Sequence, residues 1–494
     1  MKKNSFIYML AFSAIFFTGC KKELALNPTN GISSDIVFNN PSDFEQASKG
    51  MYAGLRGGPL IGTYPAYGAN YLGGLQLILP DVLSDNLIIN QNGRRSQQSF
   101  FQWIYSSTAT WNIFTDGYIP IRRANAIIEH INNLPDGVNK DNFKGEALAI
   151  RAMAHFDLLR IYGKRFNPAT QATDLGIPYV VSTDPSLLPA RMNVKDIYDK
   201  IVADFTEAEA KIKKSNGVGR LNKAAVAGLL ARVHLYRNDF VAAAAAADRS
   251  IAVEPGVSDN PGTIAQLPDI FQDASEAGVL FKVRTLDEDQ VKIGVVYSQT
   301  SAGEVRSEYV PAYDLYKMYT NTDVRKTTYF KTSIYLGSNY NHVALYIQRP
   351  NSTANVFDFK VLRVAEVLLT QAEAYAQNST VKDEAKARIA LDKLRSNRYT
   401  GFTPGNETGQ ALLDAIAKER RLELAFQGDR FYDLKRKNVA IVRDAVHGEY
   451  ADGTGTPVPA AARTLAVGDK RWYFPFPQAE LNVNKNILQD MEWR

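Results

Sequence analysis

Cysteine is nearly missing from this chain, with one residue in 494, Cys20. A single cysteine excludes an internal disulfide and any metal site built on cysteine. Histidine is also scarce, with five in all. His130, His155 and His234 fall on separate expected helices, and His342 and His447 are isolated, so they form no metal constellation. There is no H-x-x-x-H, no G-x-S-x-G and no P-loop, and no EF-hand spacing for calcium. A formal charge of +5, from 57 Lys and Arg against 52 Asp and Glu, is too small an excess to point to nucleic acid. No stretch combines dense Lys/Arg with a nucleic-acid motif. What remains reads as ordinary globular protein, with 45% hydrophobic and 22% charged residues and enough length for one to three domains. Aromatics are plentiful: 25 Tyr, 24 Phe and 4 Trp. Flat rings in such number raise the prospect of stacking on a sugar or a base.

The lone cysteine sits where an export signal ends. Lys2 and Lys3 make a positive start, Phe6 to Phe17 is apolar, and Thr18 and Gly19 precede Cys20. The apolar run is shorter than the about 20 residues a membrane-spanning helix needs. No A-x-A cleavage triplet is present. Phe17-Thr18-Gly19-Cys20 resembles a bacterial lipobox, although Phe17 stands where an aliphatic residue is usual. Residues 1–19 are therefore expected to be a lipoprotein signal peptide, Cys20 the lipidated residue, and 20–30 a polar tether.

Helical periodicity dominates the remainder, read as a single domain over 31–494. Phe44, Ala47, Met51 and Leu55 share one face of a helix over Asp43–Arg56. Further helices are expected over Trp111–Asn132 (kinked or broken near Pro120), Glu146–Tyr162 capped by Gly163, and Asn193–Lys214. Asn193 with Asp196 resembles a capping box. Lys223–Arg237 pairs with Phe240–Val253 through an Asn238-Asp239 turn, and Lys360–Gln377 pairs with Val381–Asn397. A helix over Gln410–Gln427 ends at Gly428. Helices joined by short turns read as αα-hairpins, and stacked hairpins predict a tetratricopeptide-like superhelical scaffold, mainly α. Two segments break the pattern. The region near 54–110 is irregular, rich in glycine and in Tyr, and the region 255–359 is mixed, with short strands expected at Val279–Val283 and Ile293–Ser298. A superhelix could bring these insertions together on one face.

The C-terminal part carries the most specific signals. Arg363-Val-Ala-Glu366 through Glu373-Ala-Tyr375, and Glu419-Arg420-Arg421-Leu-Glu423 through Gly428-Asp-Arg430-Phe-Tyr-Asp433, resemble motifs of the SusD/RagB family. So do Tyr473-Phe-Pro475-Phe-Pro477 with Glu480 and Asn484, and upstream Trp111, Arg123-Ala-Asn125, Arg151, Phe156-Asp-Leu, Tyr162-Gly163, Gly176-Ile-Pro178 and Asp323-Val-Arg325. The resemblance implies a lipoprotein on the outer face of an outer membrane. Such a protein caps a SusC-like TonB-dependent β-barrel transporter, binds oligosaccharide and is not an enzyme, and no cofactor is implied. It also implies that Glu366 and Glu373 are structural bridges. Arg363, three residues before Glu366, is within pairing reach of it. The sharper alternative, a catalytic carboxylate pair, lacks any sign that the two face each other across a cleft.

Candidate ligand residues come from the two insertions. Trp103 is the first choice for stacking, with core packing as its rival because Phe100, Phe101 and Ile104 flank it. Tyr64, Tyr67 and Tyr71 are rim candidates, Asp85, Asn86, Arg94 and Arg95 could hold hydroxyls, and Tyr309, Tyr313 and Tyr340 come from the second insertion. Trp111, Trp472 and Trp493 read as packing. Two alternatives stay open: a peptide or other non-glycan ligand, and a transporter-associated scaffold with no ligand site of its own.

Overall fold

The computed structural model describes residues 37–56, 71–72, 74–111, 113–287, 292–301, 303–347 and 349–494. Cys20, the tether, Tyr64 and Tyr67 lie outside them. The chain opens with α1 (Pro41–Arg56), α2 (Leu75–Val82) and the short strand β1 (Leu87–Ile89), then α3 (Phe114–His130), α4 (Val138–Tyr162) and α5 (Val194–Lys211). Helices α6 (Lys223–Tyr236) and α7 (Phe240–Ala252) precede β2 (Val279–Val283), β3 (Tyr309–Pro311), α8 (Tyr313–Met318) and the hairpin β4 (Phe330–Tyr335) and β5 (Ser338–Val343). Strand β6 (Phe359–Arg363) leads into α9 (Val364–Ala376), followed by α10 (Glu384–Arg395), α11 (Gly409–Glu423) and α12 (Arg430–Lys437).

Neighbouring helices pack in sequence: α1 on α3, α3 on α4, α4 on α5, α5 on α6, α6 on α7, α7 on α9, and α9 on α10 and α11. This is a tetratricopeptide-like stack of αα-hairpins carrying long loop insertions. Local chemistry sets each turn. Asn238 is left-handed at φ 59°, and the Asp239 side chain accepts from Ala242 N at 3.1 Å to start α7. Asn193 caps α5 by accepting from Asp196 N at 2.8 Å, while its own amide donates to the Asp196 carboxylate at 2.7 Å. The apolar stripe Val194, Ile197, Ile201, Phe205 and Ala208 is buried.

Helix α4 is buried almost all round, as expected of a helix enclosed by neighbours. Its charged residues are therefore paired. Arg151 forks onto Asp204 at 2.7 and 2.8 Å, Glu146 accepts from Arg220 at 2.8 and 2.9 Å, and Arg160 pairs with Asp157. The helix begins eight residues before the expected Glu146, because its polar first turns lack an apolar signal. Gly163 ends it in an extended conformation rather than a left-handed one; a Cβ there would meet Leu159 O at 2.8 Å.

Two other expectations are corrected. Helix α3 runs through Pro120 without a break; Pro120, Ile121 and Ala124 are buried, and packing on α4 outweighs the lost backbone bond. The expected strand at Ile293–Ser298 is instead a 3-10 turn over Ile293–Val296, with Tyr297 N and Ser298 N bonding back to Gly294 O at 3.0 and 2.9 Å. A short apolar run does not by itself distinguish the two. The strand at Val279–Val283 is present as β2, antiparallel to β6.

Candidate ligand-binding face

The two insertions meet through backbone pairing. Strand β1 from the first is antiparallel to β3 from the second, in the register Leu87↔Pro311, Ile88↔Val310, Ile89↔Tyr309. The loop after β1 continues the union: Asn90 N donates to Glu308 O at 3.0 Å and its side-chain amide to Ser307 O at 2.8 Å. Arg94 donates to Glu308 Oε1 at 2.8 Å and Ser96 N to Glu308 Oε2 at 2.7 Å. Gly93 makes this approach possible, since a Cβ would sit 2.7 Å from Ser307 O and 2.8 Å from Glu308 Cα.

A third segment, residues 444–456, completes the face. Ala451 N donates to Asn339 O at 2.9 Å, and Asn341 Nδ2 donates to Ala451 O at 3.3 Å, so the segment is stitched to β5. The Tyr340 hydroxyl accepts from Asn92 at 2.9 Å, and its ring meets Tyr450 edge-on at 5.3 Å. Further along, Tyr313 at the start of α8 packs on the His447 ring at 4.8 Å. Gly453, left-handed at φ 84°, lies against the Tyr313 ring, where a Cβ would be 2.6 Å from Cδ1. His447 Nδ1 lies 2.8 Å from Asp444 Oδ2. Burial would raise the Asp444 carboxyl, but the backbone N–H groups of His447 and Val446 and the His447 ring hold it down at about 2. The Lys317 ammonium stands 4.8 Å above the Tyr313 ring. The result is a run of half-buried rings, Tyr313, His447 and Tyr450, bordered by the exposed Asn92, Arg94 and Arg95. Such a surface can stack on an apolar ring face and bond to hydroxyls.

The candidates divide accordingly. Tyr313, Tyr340, Arg94 and Arg95 are brought onto this face, though Tyr340 is 2% exposed and offers mainly its hydroxyl, and Arg94 is shared with Glu308. Arg95 is exposed and left-handed, bonded to Gln91 at 3.2 Å. Asp85 and Asn86 belong to the frame: Arg430 forks onto Asp85 at 2.8 and 2.9 Å, and Arg421 bonds Asn86 Oδ1 at 3.0 Å. Against burial, Arg421 and Arg430 hold the Asp85 carboxyl down at about 2. Tyr71 and Tyr309 are fully buried, and the Tyr71 hydroxyl donates to Asp157.

Trp103 is a correction. It is 2% exposed, its indole N–H donates to Leu83 O at 2.9 Å, and the Arg443 guanidinium covers the ring at 4.2 Å. No face is open for stacking, because Phe101, Trp103 and Arg443 form one packed layer. His447, Asp444, Tyr450 and Asn92 were missed. A signal for the first three was in the sequence: residues 444–456 mix glycines with a Tyr, as the first insertion does, and place His447 and Asp444 beside them.

The bridging carboxylates are structural. Glu366 accepts from Arg232 at 2.6 and 2.6 Å, and Glu373 accepts from Arg436 at 2.7 and 2.7 Å. Arg363 does not pair with Glu366. It leaves β6 toward α11 and donates to Glu423 at 2.7 Å. Arg325 and Arg398 converge on the same Glu423 at 3.1 and 2.9 Å. Among the described residues no group of three His, Cys, Asp or Glu could hold a metal ion.

Residues 278–493 match the family model described as the SusD family, and residues 61–235 match one described as starch-binding and associating with the outer membrane. The chain belongs to the SusD family. A SusD-like protein of Formosa agariphila, P2, is 25% identical, with 97% of this chain and 98% of that protein covered. Among solved structures, a putative sugar binding protein of Bacteroides vulgatus superposes with a TM-score of 0.78 at 23% identity, covering 93% of this chain and all of that one. Surface glycan-binding protein A of Bacteroides uniformis does so at 0.71 and 16%, covering 92% and 100%. These likenesses establish the SusD fold. No helix among the described residues is long and apolar enough to cross a membrane.

Proposed function

We propose that this SusD-family chain is an outer-membrane lipoprotein, anchored through Cys20, that binds oligosaccharide on the face described above. It would pass the ligand to a TonB-dependent β-barrel transporter. The observation that carries the reading is the joining of three distant segments into one surface of half-buried rings, Tyr313, His447 and Tyr450, beside exposed polar groups. Each ring stacked on a sugar contributes about 0.5–1.5 kcal/mol beyond area burial. Two or three rings with a few hydrogen bonds give roughly −4 to −8 kcal/mol, or millimolar to micromolar affinity, which suits capture followed by release. Family membership and the sugar-binding description of a structural neighbour support the ligand class.

The test is calorimetric titration of the protein with glycan and peptide panels. A glycan that binds saturably, and at least about tenfold more weakly to Tyr313→Ala or Tyr450→Ala, supports the reading. Saturable peptide binding with no glycan response would overturn the ligand class. Unchanged affinity in both variants would move the site off this face.

A further inference from the structure

A second cleft lies between helices and the C-terminal segment, and none of its lining residues belongs to the loop face. Its volume is about 180 Å³, between the end of α4, α12 and the segment 467–473. That is below the about 300–1,000 Å³ of a drug-sized pocket, and leaves room for one six-membered ring rather than a chain of them. The wall is apolar, from Leu434, Val439, Val467 and Trp472. Trp472 is held by stacking on Phe431 at 5.1 Å and by an indole bond to Ala466 O at 2.7 Å, so the wall is rigid.

The charges lining it are unevenly matched. Asp469 is taken by Arg471, at 2.9 and 2.6 Å. Lys164 lies between Asp174 and Glu492 at 3.8 and 3.6 Å, close enough for attraction but too far for hydrogen bonds. Among the described residues neither Arg165, whose guanidinium donates to Phe166 O at 3.2 Å, nor the more deeply buried Lys435 has a carboxylate partner. The Lys435 ammonium donates to Arg160 O at 2.7 Å and Gly163 O at 2.8 Å, the carbonyls at the C-terminal end of α4. An ammonium has three N–H donors, so one is left over. The side chain is 7% exposed and lines the cleft. Burying a cation without a counterion is costly, and here burial, reinforced by Arg160, pushes the Lys435 ammonium down to about 7.

We infer that this cleft is a second ligand site, for a single sugar ring bearing one carboxylate, a hexuronate, with Lys435 as the group that reads the acid. The carboxylate supplies the counterion Lys435 lacks. Asp174 and Glu492 accept ring hydroxyls, and they repel phosphates and dicarboxylates, which selects a singly charged, hydroxyl-rich anion. The apolar wall takes the ring's C–H face. This site is independent of the loop face, and an oligomer bound there does not need it.

The experiment is titration of the full-length protein with galacturonate, with galactose as the neutral control and succinate as the doubly charged one, read by calorimetry and by saturation-transfer NMR. Galacturonate is expected to bind saturably, with galactose and succinate at least tenfold weaker. Lys435→Met, which keeps the stem and removes the charge, should weaken galacturonate tenfold or more and erase the preference over galactose. Val467→Trp, at a residue 47% exposed at the mouth, should block binding without disturbing the core. Tyr313→Ala should leave it unchanged. Absence of saturable galacturonate binding, equal binding of galactose, or full binding by Val467→Trp overturns the assignment. Loss of binding in Tyr313→Ala does the same, by placing the uronate on the loop face. If Lys435→Met does not fold, Val467→Trp and the ligand series decide.

Discussion

Glu423 holds three buried guanidinium groups, from Arg325, Arg363 and Arg398, on one carboxylate. Burial would raise its pKa, but these three cations drive it well below the usual range. Removing one partner from a buried ionic cluster leaves the others uncompensated, at a cost of about 3–5 kcal/mol. Glu423→Gln is therefore expected to lower the unfolding free energy by about that amount in a denaturant titration; a loss under about 1 kcal/mol would show that the cluster relaxes around the amide. His155 makes a second prediction at this scale. It is fully buried, its Nδ1 bonded to Arg151 O at 2.8 Å and its Nε2 accepting from Val180 N at 2.9 Å. That is the neutral imidazole, and burial pushes its pKa down to about 3. The unfolded state takes up the proton first, near pH 6.5, so stability from His155 is full above that pH and is lost as pH falls toward 3. The slope is up to about 1.4 kcal/mol per pH unit. Glu373, held down at about 2 by Arg436 and Lys437 against its burial, adds a loss of the same sign below about pH 4.5. Burial pushes the Asp81 and Asp116 carboxyls up to about 7 and about 6, which acts with the opposite sign over the same range, so the His155 contribution is read as a difference. The unfolding free energy of His155→Gln, measured beside the parent from pH 7 to 4, should lose less as pH falls, and parallel curves would show that His155 contributes nothing.

At the scale of elements, the loop face depends on close backbone approaches more than on side-chain identity. Gly93 rests on Ser307 and Glu308, and a side chain there must push the β1 loop away from the β3 strand. Gly93→Val should cost about 1–3 kcal/mol and weaken ligand binding together with stability, since Asn92 and Arg94 leave their partners. Trp103→Ala should behave differently from Tyr313→Ala. The first removes a packed indole and is expected to cost about 3–5 kcal/mol in unfolding free energy. The second, at a half-buried ring, should change ligand affinity with a smaller effect on thermal unfolding. Equal stability loss in both variants would place Tyr313 in the core. The helices were legible because their apolar stripes repeat at 3.6 residues and their caps are local, as at Asn193 and Asp239. The 3-10 turn at Ile293–Val296 was not, because four apolar residues fit either geometry and the Asn355 carbonyl that bonds Gly294 N is 61 residues away.

For the whole molecule, the proposed anchor would let weak affinity suffice, because a tether keeps a binding face at high effective concentration near its partner. Cys20→Ser is then expected to shift the protein from the membrane to the soluble fraction in cell fractionation, with the purified protein's ligand affinity unchanged within about twofold. Retention in the membrane fraction would show an anchor other than Cys20. The sequence by itself determined the helical scaffold, the family and which two insertions interrupt the stack, because those signals are short-range periodicities and motifs. The tertiary structure decided which aromatics face solvent. Trp103 and Tyr313 look alike in sequence, each a ring in an irregular segment, yet Arg443, 340 positions later than Trp103, seals one, while the loop carrying His447 leaves the other half open. Burial is set by what a distant segment places on top, and no local pattern carries that information.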